Sequence, residues 1–325
     1  MGERMGERTG ERTGARTGSG EILEIRDVVK VFGAVRAVDG VSFAVRRGTI
    51  TGLLGRNGAG KTTTIRMITG IFMPDSGDIR WLGGAQDGAF RDRIGYLPEE
   101  RGLYKQMKIY EHLLFLAEIK GYRRADLRKK VDYWLERFEL GAKRDAKVEE
   151  LSKGNQQKIQ LIGTLLHDPD LIILDEPQSG LDPVNMVLVR NLLQELRQEG
   201  KTILLSTHMM GEAERMADEI VLIHRGKVVL DGTLEEVRAS FGKNTLHLDF
   251  EGDGSFLETL PQVKRATVLS NTAELGLTEG ADPQQILAAC MPRLRIRRFE
   301  VAAPSLESIF IEKVGDDTLS QETTR

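Results

Sequence analysis

Residues Gly52–Thr64 read GLLGRNGAGKTTT: four glycines, then one lysine and three threonines, directly after an apolar run. Within it, Gly55-x-x-x-x-Gly60-Lys61-Thr62 has the form of a loop that wraps phosphate. Glycine lets the backbone come close where a Cβ would clash or forbid the dihedrals. The N–H groups of residues 58–62 are expected to converge on phosphate oxygens at the start of a helix. Lys61 is expected to reach the β- and γ-phosphates, and the Thr62 hydroxyl to ligate Mg²⁺. The expected nucleotide-contacting set is Gly55, Asn57, Gly58, Ala59, Gly60, Lys61, Thr62 and Thr63. Such a motif carries meaning only between a strand and a helix. Both flanks comply: TITGLLG is a β-rich run, and Thr62–Thr69 reads as a helix.

A second motif lies at Leu171–Pro177, LIILDEP. Four apolar residues make a buried strand, and two carboxylates stand at its C-terminal end, where open α/β sheets place their ligands. Asp175 is expected to hold Mg²⁺ through water, and Glu176 to deprotonate a water aimed at the γ-phosphorus. Adjacent acids at a strand end are costly unless a cation joins them.

Between the two lies LSKGNQQKIQ, where Ser152, Gly154 and the following helical turn present a hydroxyl and free N–H groups. One fold does not need two phosphate sites for one nucleotide. The arrangement makes sense if Ser152 and Gly154 grip the γ-phosphate of an ATP held by a second copy of the chain. SGLD (Ser179–Asp182) is a turn suited to crossing that seam. LSTHMM then sets His208 past another strand end, within reach of the γ-phosphate. A lone histidine is more often structural; its place in this ordered set favours the functional reading.

The rest of the chain fits an α/β domain with additions. The first twenty residues, MGER-MGER-TGER-TGAR-TGSG, form a glycine-bearing repeat without apolar periodicity, read as a disordered tail. Over residues 99–150, helical spacing puts Ile109, Leu113, Leu116 and Ala117 on one face and Leu127, Val131, Trp134, Leu135 and Phe138 on another, with Asp126 a plausible N-cap. This is a helical insertion; its basic stretch KGYRRADLRKK reads either as a solvated turn or as a contact for anionic headgroups or an acidic partner loop. A helix over 156–166 follows, then strands LIILD, TILLST and EIVLI alternate with helices over 184–198 and 210–217, predicting a mostly parallel sheet covered on both faces. VLIHRGKVVLDG closes it as a hairpin. Past residue 243 the order is strand 246–250, helix 255–260, two strands within 263–278, helix 283–291, strand 294–302 and helix 305–313. That βαββαβ order predicts a small ferredoxin-like domain over 243–315, with 316–325 a tail.

Composition bounds the function. Of 325 residues, 40% are hydrophobic and 29% charged, with net charge −3, which is ordinary globular chemistry and gives no general reason to bind nucleic acid. One cysteine, Cys290, excludes a disulfide framework within the chain and fits a reducing compartment. No apolar run approaches the roughly 18–20 residues that span a bilayer. If the protein works at a membrane, another chain must supply the spanning helices.

The order of glycine loop, LSKGN, LIILDEP, SGLD and LSTH resembles the ATP-binding-cassette (ABC) ATPase family over residues 21–236. The resemblance implies a RecA-like P-loop core, a helical subdomain at about 99–150, an ATP-sandwich homodimer and Phe32, in KVFG, stacked on adenine. GYLPEERGLY and APSLESIFIEKVG resemble bacterial exporter ATPases of the sodium-efflux and drug-resistance type, whose membrane-spanning permease is a separate chain. The cofactors implied are ATP and Mg²⁺.

Two departures stand out. Where the family carries Gln, this chain has Glu99, an oxygen donor with an added charge near Asp175 and Glu176; Glu100 is its rival for that role. The signature usually reads Leu-Ser-Gly-Gly-Gln; here Lys153 and Asn155 replace its third and fifth residues, while Ser152 and Gly154 remain. An importer ATPase and a non-transport regulator stay open as alternatives. The second is disfavoured by one cassette and a negative net charge.

Overall fold

The computed structural model describes residues 20–85, 88–100, 102–241, 245–278 and 280–322, so the repeat read as a tail lies, but for Gly20, outside the described residues. In chain order the elements are β1 (Glu21–Phe32), β2 (Val35–Arg46), β3 (Ile50–Leu54), α1 (Lys61–Ile68), β4 (Ser76–Trp81), β5 (Gly84–Ala85), α2 (Gly88–Arg93) and β6 (Ile94–Leu97). The helical insertion supplies α3 (Ile109–Ile119) and α4 (Arg124–Arg137), and α5 (Lys153–Leu165) follows it. Then come β7 (Leu171–Asp175), α6 (Pro183–Gln198), β8 (Thr202–Thr207), α7 (Met210–Met216), β9 (Glu219–His224), β10 (Lys227–Thr233) and α8 (Leu234–Ser240). The C-terminal part has β11 (Thr245–Glu251), β12 (Val263–Val268), β13 (Thr272–Leu277), α9 (Pro283–Cys290), β14 (Arg295–Ala302) and α10 (Leu306–Glu322).

The central sheet has the order β10-β9-β3-β8-β7-β6. Its strands are parallel apart from the β9–β10 hairpin. β3, β7 and β8 are buried along their whole length, which is why they read as unbroken apolar runs. Their two faces serve different partners. Ile172, Leu174, Ile203 and Leu205 pack with the helical insertion, in one core with Ile109, Leu113, Leu127, Val131 and Phe138. Leu171, Ile173 and Leu204 face the other way, onto Leu23, Val41 and Phe43. Those residues belong to a separate antiparallel sheet, β2-β1-β4-β5.

Register then sets the site. Leu54 pairs with Thr207, and Asp175 with Ser206. The glycine loop, the paired acids and His208 therefore leave three adjacent strands at one level, the carboxyl edge of the sheet.

The third sheet, β12-β13-β11-β14, is antiparallel throughout and has the fourth-first-third-second strand order of the ferredoxin-like fold. Some expectations need correction. The segment expected as a helix over 255–260 is a 3-10 turn, Ser255–Thr259, because Pro261 cannot continue a helix. α4 starts after Arg123 in extended conformation, not at Asp126; Arg124 pairs with Glu111 and Glu118 of α3 and draws the start earlier. α5 begins at Lys153, three residues before the expected start. α8 was not anticipated, although Thr233 and Glu236 form a capping box at its start. α10 runs to Glu322, beyond the helix expected over 305–313. Leu306 and Ile309 at its start pack on Met210 and Ala213 of α7, fastening the third sheet to the central domain.

One buried group stands apart. His112, on α3, is 0% exposed, and neither ring nitrogen has a hydrogen-bond partner. Burial lowers its pKa from 6.5 to about 4. The folded state thus holds His112 neutral while the unfolded chain protonates it near pH 6.5. The linked stability is full above pH 6.5 and is lost as pH falls from there toward 4. Replacing His112 with Leu removes two orphaned polar atoms, each costing about 1–3 kcal/mol when buried. His112→Leu is expected to unfold at higher urea than wild type at pH 7, with the gap widening at pH 5. Urea titrations at both pH values check this.

Candidate active site

Glycine is required where the loop touches the rest of the protein. A Cβ on Gly55 (φ +151°) would lie 2.3 Å from the Ile223 carbonyl oxygen, and one on Gly60 (φ +111°) 2.6 Å from that of Ala37. The loop is thus pressed between the β9–β10 hairpin and β2. Lys61 is 6% exposed. Its Nζ donates to the Gly55 carbonyl at 2.9 Å and stands 3.4 Å from Glu176 Oε1. The ammonium therefore lies between the loop and the acid-bearing strand.

At the end of β7, Asp175 Oδ1 accepts from Ser206 Oγ at 2.5 Å and from Thr62 Oγ1 at 3.3 Å. Its other oxygen, Oδ2, is buried without a partner. Burial pushes the Asp175 carboxyl above its ordinary range; Ser206 and Thr62 pull it back, and the charge of Glu176 adds to the rise. A cation against Oδ2 would reverse that balance. Among the described residues no group of three or more His, Cys, Asp or Glu gathers around a metal position. One carboxylate and one hydroxyl are a sparse donor set. They fit Mg²⁺, which keeps water and takes substrate phosphate oxygens for the rest of its shell.

Glu176 has φ 49°, left-handed backbone on a residue with a side chain. Its N–H is received by Ser206 through both the hydroxyl and the carbonyl oxygen, at 3.1 and 3.2 Å. That conformation turns its carboxylate to His208, whose Nδ1 is 3.0 Å from Oε1. An acid, an imidazole and a lysine thus meet within hydrogen-bond reach beside the glycine loop. Ser152 and Gly154 sit elsewhere, on the surface at the start of α5. The Ser152 hydroxyl caps that helix by accepting from Asn155 N–H at 3.3 Å.

The sequence pattern of the ABC transporter family matches residues 38–179, and that of the C-terminal domain of DrrA1-3-like ATP-binding proteins matches 232–314. The chain is similar to an uncharacterized ABC transporter ATP-binding protein, YhaQ, of Bacillus subtilis: 42% identical over 294 residues, 90% of this chain and 99% of the relative. The chain belongs to the ABC transporter ATP-binding family.

Other relatives of this ATPase subunit carry transport names. The Nod factor export ATP-binding protein I of Ralstonia nicotianae is 35% identical, covering 91% of this chain and 95% of its own length. The daunorubicin/doxorubicin resistance ATP-binding protein DrrA of Streptomyces peucetius is 32% identical, covering 92% and 95%. A solved ATP-binding subunit of an ABC transporter superposes with a TM-score of 0.64 at 36% identity, over 68% of this chain and 93% of that one. The protein is an ATPase that binds and hydrolyses ATP as a transporter component.

Two expected site residues stand outside the cluster at the sheet edge. Phe32 ends β1 and is 44% exposed, packed edge-on against Phe72 at 5.4 Å, with Lys30 Nζ 5.7 Å from its ring centroid. It is a surface aromatic and not a core residue. Glu99 and Glu100 are both exposed in the turn after β6; Glu100 approaches Arg66 at 3.8 Å. Lys153 is exposed. Sequence reasoning missed Ser206, although it stands in the quoted LSTH. A serine directly after TILL, at the level of the acids, was the available signal.

Proposed function

We propose that this ATPase subunit drives an exporter, working as a homodimer at the cytoplasmic face of the membrane with a separate membrane-spanning permease. The observation that carries the reading is the pairing of a DrrA-like C-terminal domain with relatives named for export and for drug resistance, aligned over nine-tenths of the chain. Among the described residues no helix is long and apolar enough to cross a membrane, which supports a separate permease. The nucleotide-binding domain is assigned to 21–236, its helical subdomain to 99–150 and the accessory domain to 243–315. Purification from solubilised membranes tests the reading: a multi-span protein is expected to co-purify, and recovery without one overturns it.

Within each site, the backbone N–H groups of 58–62 and Lys61 hold the ATP phosphates, with Asn57 and Thr63 flanking them and Phe32 stacking on adenine. Thr62 and Asp175 would hold Mg²⁺, which would neutralise phosphate charge when bound. Glu176 takes the proton of the attacking water, and His208 donates to the γ-phosphate and orients Glu176. Ser152 and Gly154 of one copy close on the γ-phosphate held by the other. Their surface position at a helix N-terminus supports that role.

Glu99 is assigned the oxygen that reports the metal and the attacking water to the permease. Its charge adds to those of Asp175 and Glu176, so ATP binding without Mg²⁺ is penalised. Glu99→Gln is expected to bind Mg²⁺-free ATP several-fold tighter than wild type, with little change when Mg²⁺ is present. Calorimetric titrations under both conditions check this; equal Mg²⁺ dependence removes the assignment.

A further inference from the structure

Glu176 holds a left-handed backbone conformation at the end of a strand, and such a conformation persists only when the surroundings over-determine it. Ser206 fixes its N–H from the β8 side. The chain just beyond is held twice. Gln157 of α5 donates through Nε2 to the Pro177 carbonyl at 3.1 Å. Gln178 Nε2 donates to Glu212 Oε2 of α7 at 3.3 Å.

Gln178 and Glu212 are both buried. The Glu212 carboxylate also accepts from Arg190 Nη1 of α6 at 3.4 Å and from Arg215 Nη1 at 2.5 Å. Two guanidiniums satisfy its charge and hold it still. Glu212 lies four residues after His208, in the first turn of α7, and Gln178 lies two residues after Glu176. The contact therefore ties the segment carrying the acid to the helix that follows the imidazole.

We infer that Glu212 is a positioning residue for hydrolysis, acting through Gln178 to hold Glu176 in line with His208. Its hydrogen bonds run to Gln178, Arg190 and Arg215 and not to the glycine loop or Lys61, to which the nucleotide is assigned. Loosening the brace misaligns the base without weakening nucleotide binding, and small misplacements of reacting groups cost large rate factors. The inference rests on the reading of Glu176 as the base.

The test is steady-state ATP hydrolysis by the full chain. Gln178→Leu leaves Glu212 paired with Arg190 and Arg215, so the fold is retained. It is expected to lower kcat about 10-fold with KM for ATP within about twofold of wild type. Glu212→Ala is expected to lower kcat similarly, and the double variant to fall no further than the worse single one. In a Glu176→Gln background, Gln178→Leu is expected to leave the residual rate unchanged, which a merely structural role does not predict. Wild-type kcat in Gln178→Leu, a raised KM at unchanged kcat, or multiplying effects overturn the inference. If Glu176→Gln alone is slow while Gln178→Leu is fast, only the brace fails. If Glu176→Gln itself turns over at the wild-type rate, the base assignment falls and the brace with it.

Discussion

Glu176→Gln is expected to bind ATP at least as tightly as wild type and to hydrolyse it about 10²–10⁴ times more slowly, the usual contribution of a positioned general base. That range corresponds to about 3–5.5 kcal/mol of lost transition-state stabilisation. Glutamine matches glutamate in size, so the left-handed backbone and the bonds from Ser206 are kept. What changes is basicity: an amide oxygen does not accept the proton of an attacking water. Binding is spared because the loop amides and Lys61 are untouched. It gains because one negative charge facing the triphosphate is removed beside Asp175. Bound ATP then persists, and a dimer closed over two nucleotides accumulates, visible as an ATP-dependent shift in gel filtration. Phosphate release at the wild-type rate removes Glu176 from the role of base.

The glycine loop could be placed from sequence because everything that shapes it is local. The apolar run, the glycines and the helix starting at Lys61 lie within some twenty residues, and glycine at 55 and 60 answers a steric demand. Ser206 was not legible in the same way. Its importance comes from pairing opposite Asp175, and the sequence of one strand does not state its register against another. The same limit hid the division of strands between the central sheet and the β1–β2–β4–β5 sheet. The signals at Pro261 and at Thr233–Glu236 were present and local, and the structure shows what each one does. His112 was opaque for a different reason. At helical spacing it falls beside Leu113 on the buried face, and composition alone does not say that a histidine there goes without a partner. Phe32 was read from the resemblance alone, and its 44% exposure at the end of β1 comes from the structure and not from its place in KVFG.

Lys61→Ala is expected to lose both nucleotide affinity and turnover. The ammonium is buried, bonded to the Gly55 carbonyl and 3.4 Å from the Glu176 carboxylate. Its removal strips the loop's buried side-chain cation. It also leaves a buried carboxylate facing a polyanion without its counter-charge. Truncating one partner of a buried charge pair costs about 2–5 kcal/mol, so ATP affinity is expected to fall at least about 30-fold. Turnover falls further, since negative charge spreads over the γ-phosphoryl oxygens in the transition state and Lys61 faces them. Lys61→Arg does not restore the site. The guanidinium is planar and wider than an ammonium, and the Gly55 carbonyl and Glu176 already stand within 3.4 Å of the charge. Calorimetric titration with ATP and phosphate release on the same preparation separate the two effects. Unchanged affinity and unchanged rate in Lys61→Ala would mean that the loop amides hold the triphosphate unaided, and the assignment of charge at this site would fail.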